Sequence, residues 1–195
     1  MGHSTIYRIL KEHEMNNPID KPRKTWGKTR FERQHNNSLW QTDFKLTEDD
    51  EWMLTLLDDH SRFVVGCMIE HNATTEFAVK LIEKSILKYG KPTQILSDRG
   101  VQFFCNEREG KKQGTSGFTQ FCLDNRIEHI LASKRRPTTT GKVERWNRTY
   151  DEEHYKYKSL EGFVRYYNFK RPHQSLGYLT HAVVYFTESV RDVMG

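Results

Sequence analysis

The chain has 195 residues, with 31 Lys and Arg against 26 Asp and Glu, for a formal net charge of +5. Hydrophobic residues make up 35% and the mean hydropathy is −0.84; no apolar run approaches the ~20 residues of a spanning helix, which excludes a membrane protein. With 12% aromatics the chain carries too many core-forming side chains for a disordered one, and its length suits one domain with short appendages.

In chain order, residues 3–14 read as a short helix, with Ser4 or Thr5 as N-cap and Ile6, Ile9 and Leu10 on one face. A basic stretch with Pro18, Pro22 and Gly27 follows without periodicity and reads as a linker. Strands are predicted at 38–46, 52–57 and 63–69, with Glu48-Asp49-Asp50 and Asp58-Asp59-His60-Ser61 as turns. Short polar links of this kind predict an antiparallel meander. The period then changes: Phe77, Ala78, Leu81, Ile82 and Ile86 predict a helix over 74–89, stopped by Gly90. A short strand at 94–97 ends at Asp98, and the polar, glycine-rich 105–117 reads as a loop or insertion. A helix at 118–125, a strand at 127–131 and helices over 142–154, 160–167 and 181–193 complete the chain. This order implies one α/β domain: a mixed sheet of three antiparallel and then two parallel strands, covered by helices.

The three cysteines (Cys67, Cys105, Cys122) form no Cys-x-x-Cys pair, which fits a reducing, intracellular setting without a disulfide framework. Nine histidines are present, yet none has zinc-finger spacing with a cysteine. Basic charge gathers in two windows, residues 18–35 and 134–148. The second holds Lys134, Arg135, Arg136, Lys142, Arg145 and Arg148 against Glu144 alone. Such stripes suit a phosphate backbone, and a solvated charged surface explains either window equally well.

Three acids stand out, each with an ordinary explanation beside the functional one. Asp43 interrupts a strand, where Asp is disfavoured, but it shares a face with Gln41 and Lys45 and so also reads as a solvated position. Asp98 ends an apolar strand, where α/β sites assemble, and also suits a plain turn before Arg99-Gly100. Glu144 opens a helix, where any carboxylate gains from the dipole, and has Arg148 one turn on.

The surrounding segments carry a resemblance. Leu39-Trp40-Gln41-Thr42-Asp43-Phe44, the stretch from Leu57-Asp58-Asp59-His60-Ser61-Arg62 to Gly66, and Ser97-Asp98-Arg99-Gly100-Val101-Gln102-Phe103 look like the integrase core of DDE transposases. So do Arg136-Pro137 through Gly141-Lys142-Val143-Glu144-Arg145-Trp146-Asn147-Arg148 and Tyr166-Tyr167-Asn168 through Arg171-Pro172-His173-Gln174-Ser175-Leu176. Five blocks in order, across most of 38–186, are far more specific than an isolated D…D…E. The likeness is to the retroviral-integrase-like branch found in prokaryotic insertion sequences. It implies an RNase H-like fold and a triad of Asp43, Asp98 and Glu144 holding Mg²⁺ or Mn²⁺, two ions by the resemblance. It also implies cleavage and strand transfer on double-stranded DNA, element ends and target, by a homodimer or higher assembly in a prokaryotic cytoplasm. Asp58 and Asp59 fall in a family motif but at a strand-turn position, which suggests a structural role. The 45 residues between Asp98 and Glu144 exceed the family's usual spacing, and the 105–117 insertion is long enough to absorb the excess.

The resulting division is a helix-turn-helix remnant (1–17), a basic linker (18–37), a catalytic core (38–157) and a helical C-terminal extension (158–195). Within the core, Lys134, Arg135, Arg136, Lys142, Arg145 and Arg148 are the expected DNA contacts. Two other readings stay open: a non-catalytic DNA-binding remnant of a mobile element, and a metal-dependent nuclease of the same fold.

Overall fold

In a computed structural model the chain divides into two compact units, residues 1–31 and 32–195. The structure describes residues 12, 32–104, 116–132 and 140–194, with side chains as far as Thr187. The expected N-terminal helix, most of the linker, nearly all of the 105–117 insertion and Lys134, Arg135 and Arg136 lie outside the described residues.

The described elements are β1 (Leu39–Leu46), β2 (Trp52–Asp58), β3 (Val64–Glu70), α1 (Thr75–Tyr89), β4 (Gln94–Ser97), α2 (Gly117–Asp124), β5 (Glu128–Leu131), α3 (Gly141–Glu153), α4 (Leu160–Phe169) and α5 (His181–Met194). Short 3₁₀ turns cover His154–Lys156 and Gln174–Leu176. Gly117, read above as the end of the insertion, instead opens α2, because the Ser116 hydroxyl accepts from the Thr119 N–H at 3.1 Å and caps the helix.

The strands form one sheet in the order β3-β2-β1-β4-β5. β1, β2 and β3 pair antiparallel, whereas β4 lies parallel to β1 and β5 parallel to β4. The three-plus-two arrangement expected from the sequence is therefore the one observed. Strand alternation sends neighbouring residues to opposite faces, and each face has its own core. On one, Trp40, Leu54, Leu56 and Ile95 pack under Phe77, Ala78, Leu81 and Ile82 of α1, Phe118 and Cys122 of α2, and Ala182 and Tyr185 of α5. On the other, Met53, Leu57 and Val64 meet Val143, Trp146 and Tyr150 of α3 and Phe163 and Tyr167 of α4. This second face carries the candidate site.

The motif around Arg171-Pro172-His173 braces that second layer. The Asn168 side chain accepts from the Val64 N–H at 2.9 Å and donates to the Val64 carbonyl at 3.0 Å, replacing a missing sheet neighbour at the β3 edge. Arg171 reaches Glu153 at 3.1 Å, tying the end of α4 to the end of α3. His181 is fully buried, stacks on Tyr167 with centroids 4.3 Å apart, and bonds the Ser61 carbonyl through Nδ1.

Candidate active site

β1 and β4 run parallel with Gln41 opposite Leu96. Two residues further along both strands stand Asp43 and Asp98, so the register carries the two carboxylates to neighbouring positions, about 4.8 Å being the usual strand separation. Asp98 lies just past the end of β4, where its Oδ1 accepts from the Gly100 N–H at 2.9 Å. Gly100 keeps this turn tight: a Cβ there would come within 2.6 Å of Gln102 Oε1 and 3.1 Å of Asp98 Oδ1. Behind the turn, buried Ser97 bonds His129 Nε2 at 2.8 Å, His129 Nδ1 bonds Thr119, and the Ser116 hydroxyl donates to the Phe103 carbonyl.

Glu144 arrives on α3. Its Oε1 accepts from the Thr140 hydroxyl at 2.6 Å, and its charge reaches Asp43. Burial, then the charges of Asp98 and of Glu144, push Asp43 up from 3.8 to about 7, against a hydrogen bond from Asn147. The charges of the other two acids predicted from the sequence thus both reach Asp43. Asp43 is half-buried, whereas Asp98 and Glu144 are open to solvent.

A solvated position was one of the two readings given above for Asp43. The face of β1 that carries it is covered by α3. The Val143 N–H donates to Gln41 Oε1 at 3.3 Å, Asn147 Nδ2 to Asp43 Oδ2 at 2.8 Å, and Lys45 Nζ to Asp151 at 2.7–2.8 Å. Two strand residues span about 6.7 Å and four helix residues about 6.0 Å, so alternate strand positions meet successive helix turns. Asn147 and Asp151 were not singled out from the sequence. Their i+4 and i+8 spacing from Val143 was the available signal, but it carries meaning only once α3 is known to lie on β1.

The predicted DNA contacts divide. Arg145 and Arg148 are exposed on the outer side of α3. Lys142 is not directed outward: its ammonium lies 2.7 Å from Oδ1 of fully buried Asp59 and donates to the Asp59 carbonyl at 2.7 Å. Asp58 and Asp59 occupy structural positions, as expected. Asp58 accepts from Ser61 and from the Asn37 N–H, and Asp59 from the Arg33 N–H, Gln41 and Lys142.

Among the described residues, no three His, Cys, Asp or Glu side chains stand close enough to share one ion. The donor set nevertheless fits a hard divalent cation on two observations. The charges of Asp98 and Glu144 add to burial in raising Asp43, and the buried Oδ1 of Asn147, the side chain that bonds Asp43, has no hydrogen-bond donor in the protein. Oxygen-only donors of this kind suit Mg²⁺ or Mn²⁺.

Comparison with known proteins bears on the fold and the family. One integrase core domain model matches residues 33–137 and a second, also described as an integrase core domain, matches 125–180. The chain is 26% identical over 197 residues to the "uncharacterized 39.2 kDa protein" of insertion element IS476 from Xanthomonas euvesicatoria, covering 91% of this chain and 53% of that protein. It thus spans about half the length of that relative. Among solved structures, the catalytic core of BIV integrase superposes with a TM-score of 0.63 at 18% identity, covering 80% of this chain and 99% of that one. The HTLV-2 integrase catalytic core in complex with magnesium gives 0.60 at 19% identity, covering 78% and 98%. These likenesses establish the RNase H-like fold, and with the family match over more than half of its residues the chain belongs to the integrase core domain family of transposases and integrases.

Proposed function

We propose that the chain is the catalytic core of a DDE-type transposase, cutting element ends and joining them to target DNA by metal-dependent phosphoryl transfer. The observation that supports this reading is that Asp43 on β1, raised to about 7 by burial and then by charge, feels both Asp98 at the end of β4 and Glu144 in the first turn of α3. Asp43, Asp98 and Glu144 would hold Mg²⁺ or Mn²⁺, two ions in the full site. When bound, such ions activate the attacking water or DNA 3′-hydroxyl and stabilise the leaving oxygen of an in-line displacement.

The protein's own part is placement. Asp43 is held by the sheet and by a hydrogen bond from Asn147, and Asp98 and Glu144 are exposed. Burial and the charges of Asp98 and Glu144 raise Asp43 to about 7, and a bound cation would favour release of its proton. No protein nucleophile is required, so no covalent enzyme–DNA intermediate forms. Arg145 and Arg148, exposed on the same helix as Glu144, supply phosphate contacts, joined by Lys134, Arg135 and Arg136 from the preceding segment. A homodimer or higher assembly on DNA, in a prokaryotic cytoplasm, belongs to the same reading. Among the described residues no helix is long and apolar enough to cross a membrane.

The test is strand transfer with pre-cut element-end duplex and Mn²⁺. Joined products that vanish in Asp98→Asn support a transposase. Cutting without joining indicates a nuclease, and DNA binding without either product indicates a non-catalytic remnant.

A further inference from the structure

α3 starts without a side-chain cap. Thr140 occupies its N-cap position but makes no capping bond, and its hydroxyl is given to Glu144 instead. The helix also carries Lys142 in its first turn, where a cation opposes the helix dipole. A local cost of this kind marks a residue held there for a tertiary reason. The reason is visible at the end of β2. Asp59 is fully buried, and its own N–H donates to the Leu39 carbonyl at 2.9 Å, which fixes it to the start of β1. Its Oδ2 accepts from the Arg33 N–H at 2.8 Å, and its Oδ1 accepts from Gln41 at 2.7 Å and from Lys142 at 2.7 Å. Gln41 then accepts the Val143 N–H, one of the helix's otherwise unpaired first-turn donors.

We infer that the Asp59–Lys142 pair is a positioning device: it pins the first turn of α3 to the start of β1 and so sets where Glu144 stands relative to Asp43. Lys142 is two residues before Glu144, and Gln41, the other end of the pin, is two residues before Asp43. The pin thus ties the helix turn that carries Glu144 to the strand that carries Asp43. Lys142 is a positioning residue in this account and makes no phosphate contact, because its charge is already neutralised by a buried carboxylate. The inference rests on the proposed metal-dependent reading of the site only for its consequence, and the pin itself is tested separately.

Lys142→Met, Asp59→Asn, the double variant and Lys142→Arg are compared in the full chain, with thermal melting as a check of folding. Lys142→Met leaves a buried carboxylate unpaired and is the variant most exposed to misfolding. Asp59→Asn and the double variant avoid that, since an amide at 59 keeps an acceptor for the Arg33 N–H. Hydrogen exchange reads the pin without metal: the first-turn amides of α3 should exchange at least about tenfold faster in Asp59→Asn and the double variant, and near wild type in Lys142→Arg. Mn²⁺ binding, followed by the EPR signal of the free ion, should weaken about tenfold in the same two variants, with the double no worse than the single. Affinity for random duplex should be unchanged in Asp59→Asn, and the salt slope unchanged in the double variant. A loss of about one unit of salt slope in the double variant, with first-turn exchange unchanged in both, would make Lys142 a phosphate contact and overturn the inference. If the wild type binds no Mn²⁺ that Asp98→Asn abolishes, the metal reading fails, and the exchange arm still decides the pin.

Discussion

The two faces of β1 are built on opposite principles. The face carrying Trp40 and Phe44 is an aromatic core: Trp40 is fully buried, and Phe44 packs against Phe77 and Phe103 with centroids 5.6 and 5.3 Å apart. The face carrying Gln41, Asp43 and Lys45 meets α3 through a polar seam, with Trp146 as its apolar anchor. Apolar packing is stabilising and tolerant of its partner's chemistry, whereas a polar seam fixes register, because each donor must find one acceptor. A site that must hold three carboxylates in a set relation gains from the second kind. The first kind supplies the stability that tolerates a repelled Asp43.

The comparison is broken most completely at the carboxylates. Asp43→Asn, Asp98→Asn and Glu144→Gln should each reduce cutting and joining to background while the circular-dichroism spectrum stays native. Mg²⁺ or Mn²⁺ should raise the melting temperature of the wild type, since only the folded chain assembles the site, and Asp98→Asn should lose most of that shift. An equal shift in both would place the ions elsewhere.

Next in size is the anchor of the seam. Trp146 is fully buried, packs edge-to-face with Tyr167 and tilted against Phe163, and donates from Nε1 to Thr55 at 2.8 Å. Trp146→Ala should cost about 3–5 kcal/mol in urea unfolding, by cavity formation and by a hydroxyl left without its donor. Activity should fall further than the folded fraction does, because α3 loses its seat.

The pH response separates the raised carboxylate from the buried histidines by sign. The folded Asp43 keeps its proton up to about 7, whereas the unfolded chain releases it near 3.8. The folded state thus holds the extra proton, and this residue makes stability fall as pH rises across that window. In metal-free buffer, the stability of Asp43→Asn relative to wild type should grow by roughly 3 kcal/mol between pH 4 and 7. Burial lowers His129 to about 4 and His181 to about 3. There the unfolded chain holds the extra proton, so their contribution is complete above about 6.5 and is lost as pH falls toward those values. Urea midpoints of both proteins across pH 4–7.5 check the two signs together.

The smallest effects come from two glycines, one on each side. A Cβ at Gly66 would meet Ser85 Oγ at 2.4 Å and Leu56 at 3.1 Å, under α1. Gly66→Ala should cost about 1–3 kcal/mol and leave the activity per folded molecule unchanged. Gly100→Ala crowds the Asp98 carboxylate, and should lower activity and Mn²⁺ affinity with little change in stability.

Much of this was written in local pattern. Alternation, helical spacing and the stop at Gly90 located the strands and helices to within a few residues, because those signals depend only on backbone geometry and on which side of an element is apolar. The segments around Asp43, Asp98 and Glu144 likewise named the acids before any distance was known. The environment of those acids was not legible. Gln41, Asp43 and Lys45 have the alternation of a solvated face, and only the packing of α3, a hundred residues later, turns that face into a seam. Lys142 sits among Arg145 and Arg148 in one basic run, yet it turns inward to an aspartate 83 residues earlier in the chain. Composition counts a charge without its partner. The sequence by itself therefore determined the elements and pointed to the candidate acids, which are local. Tertiary structure alone decided which charges are spent inside the fold and which are left for a substrate, because the pairing energy of a charge depends on what folding brings beside it.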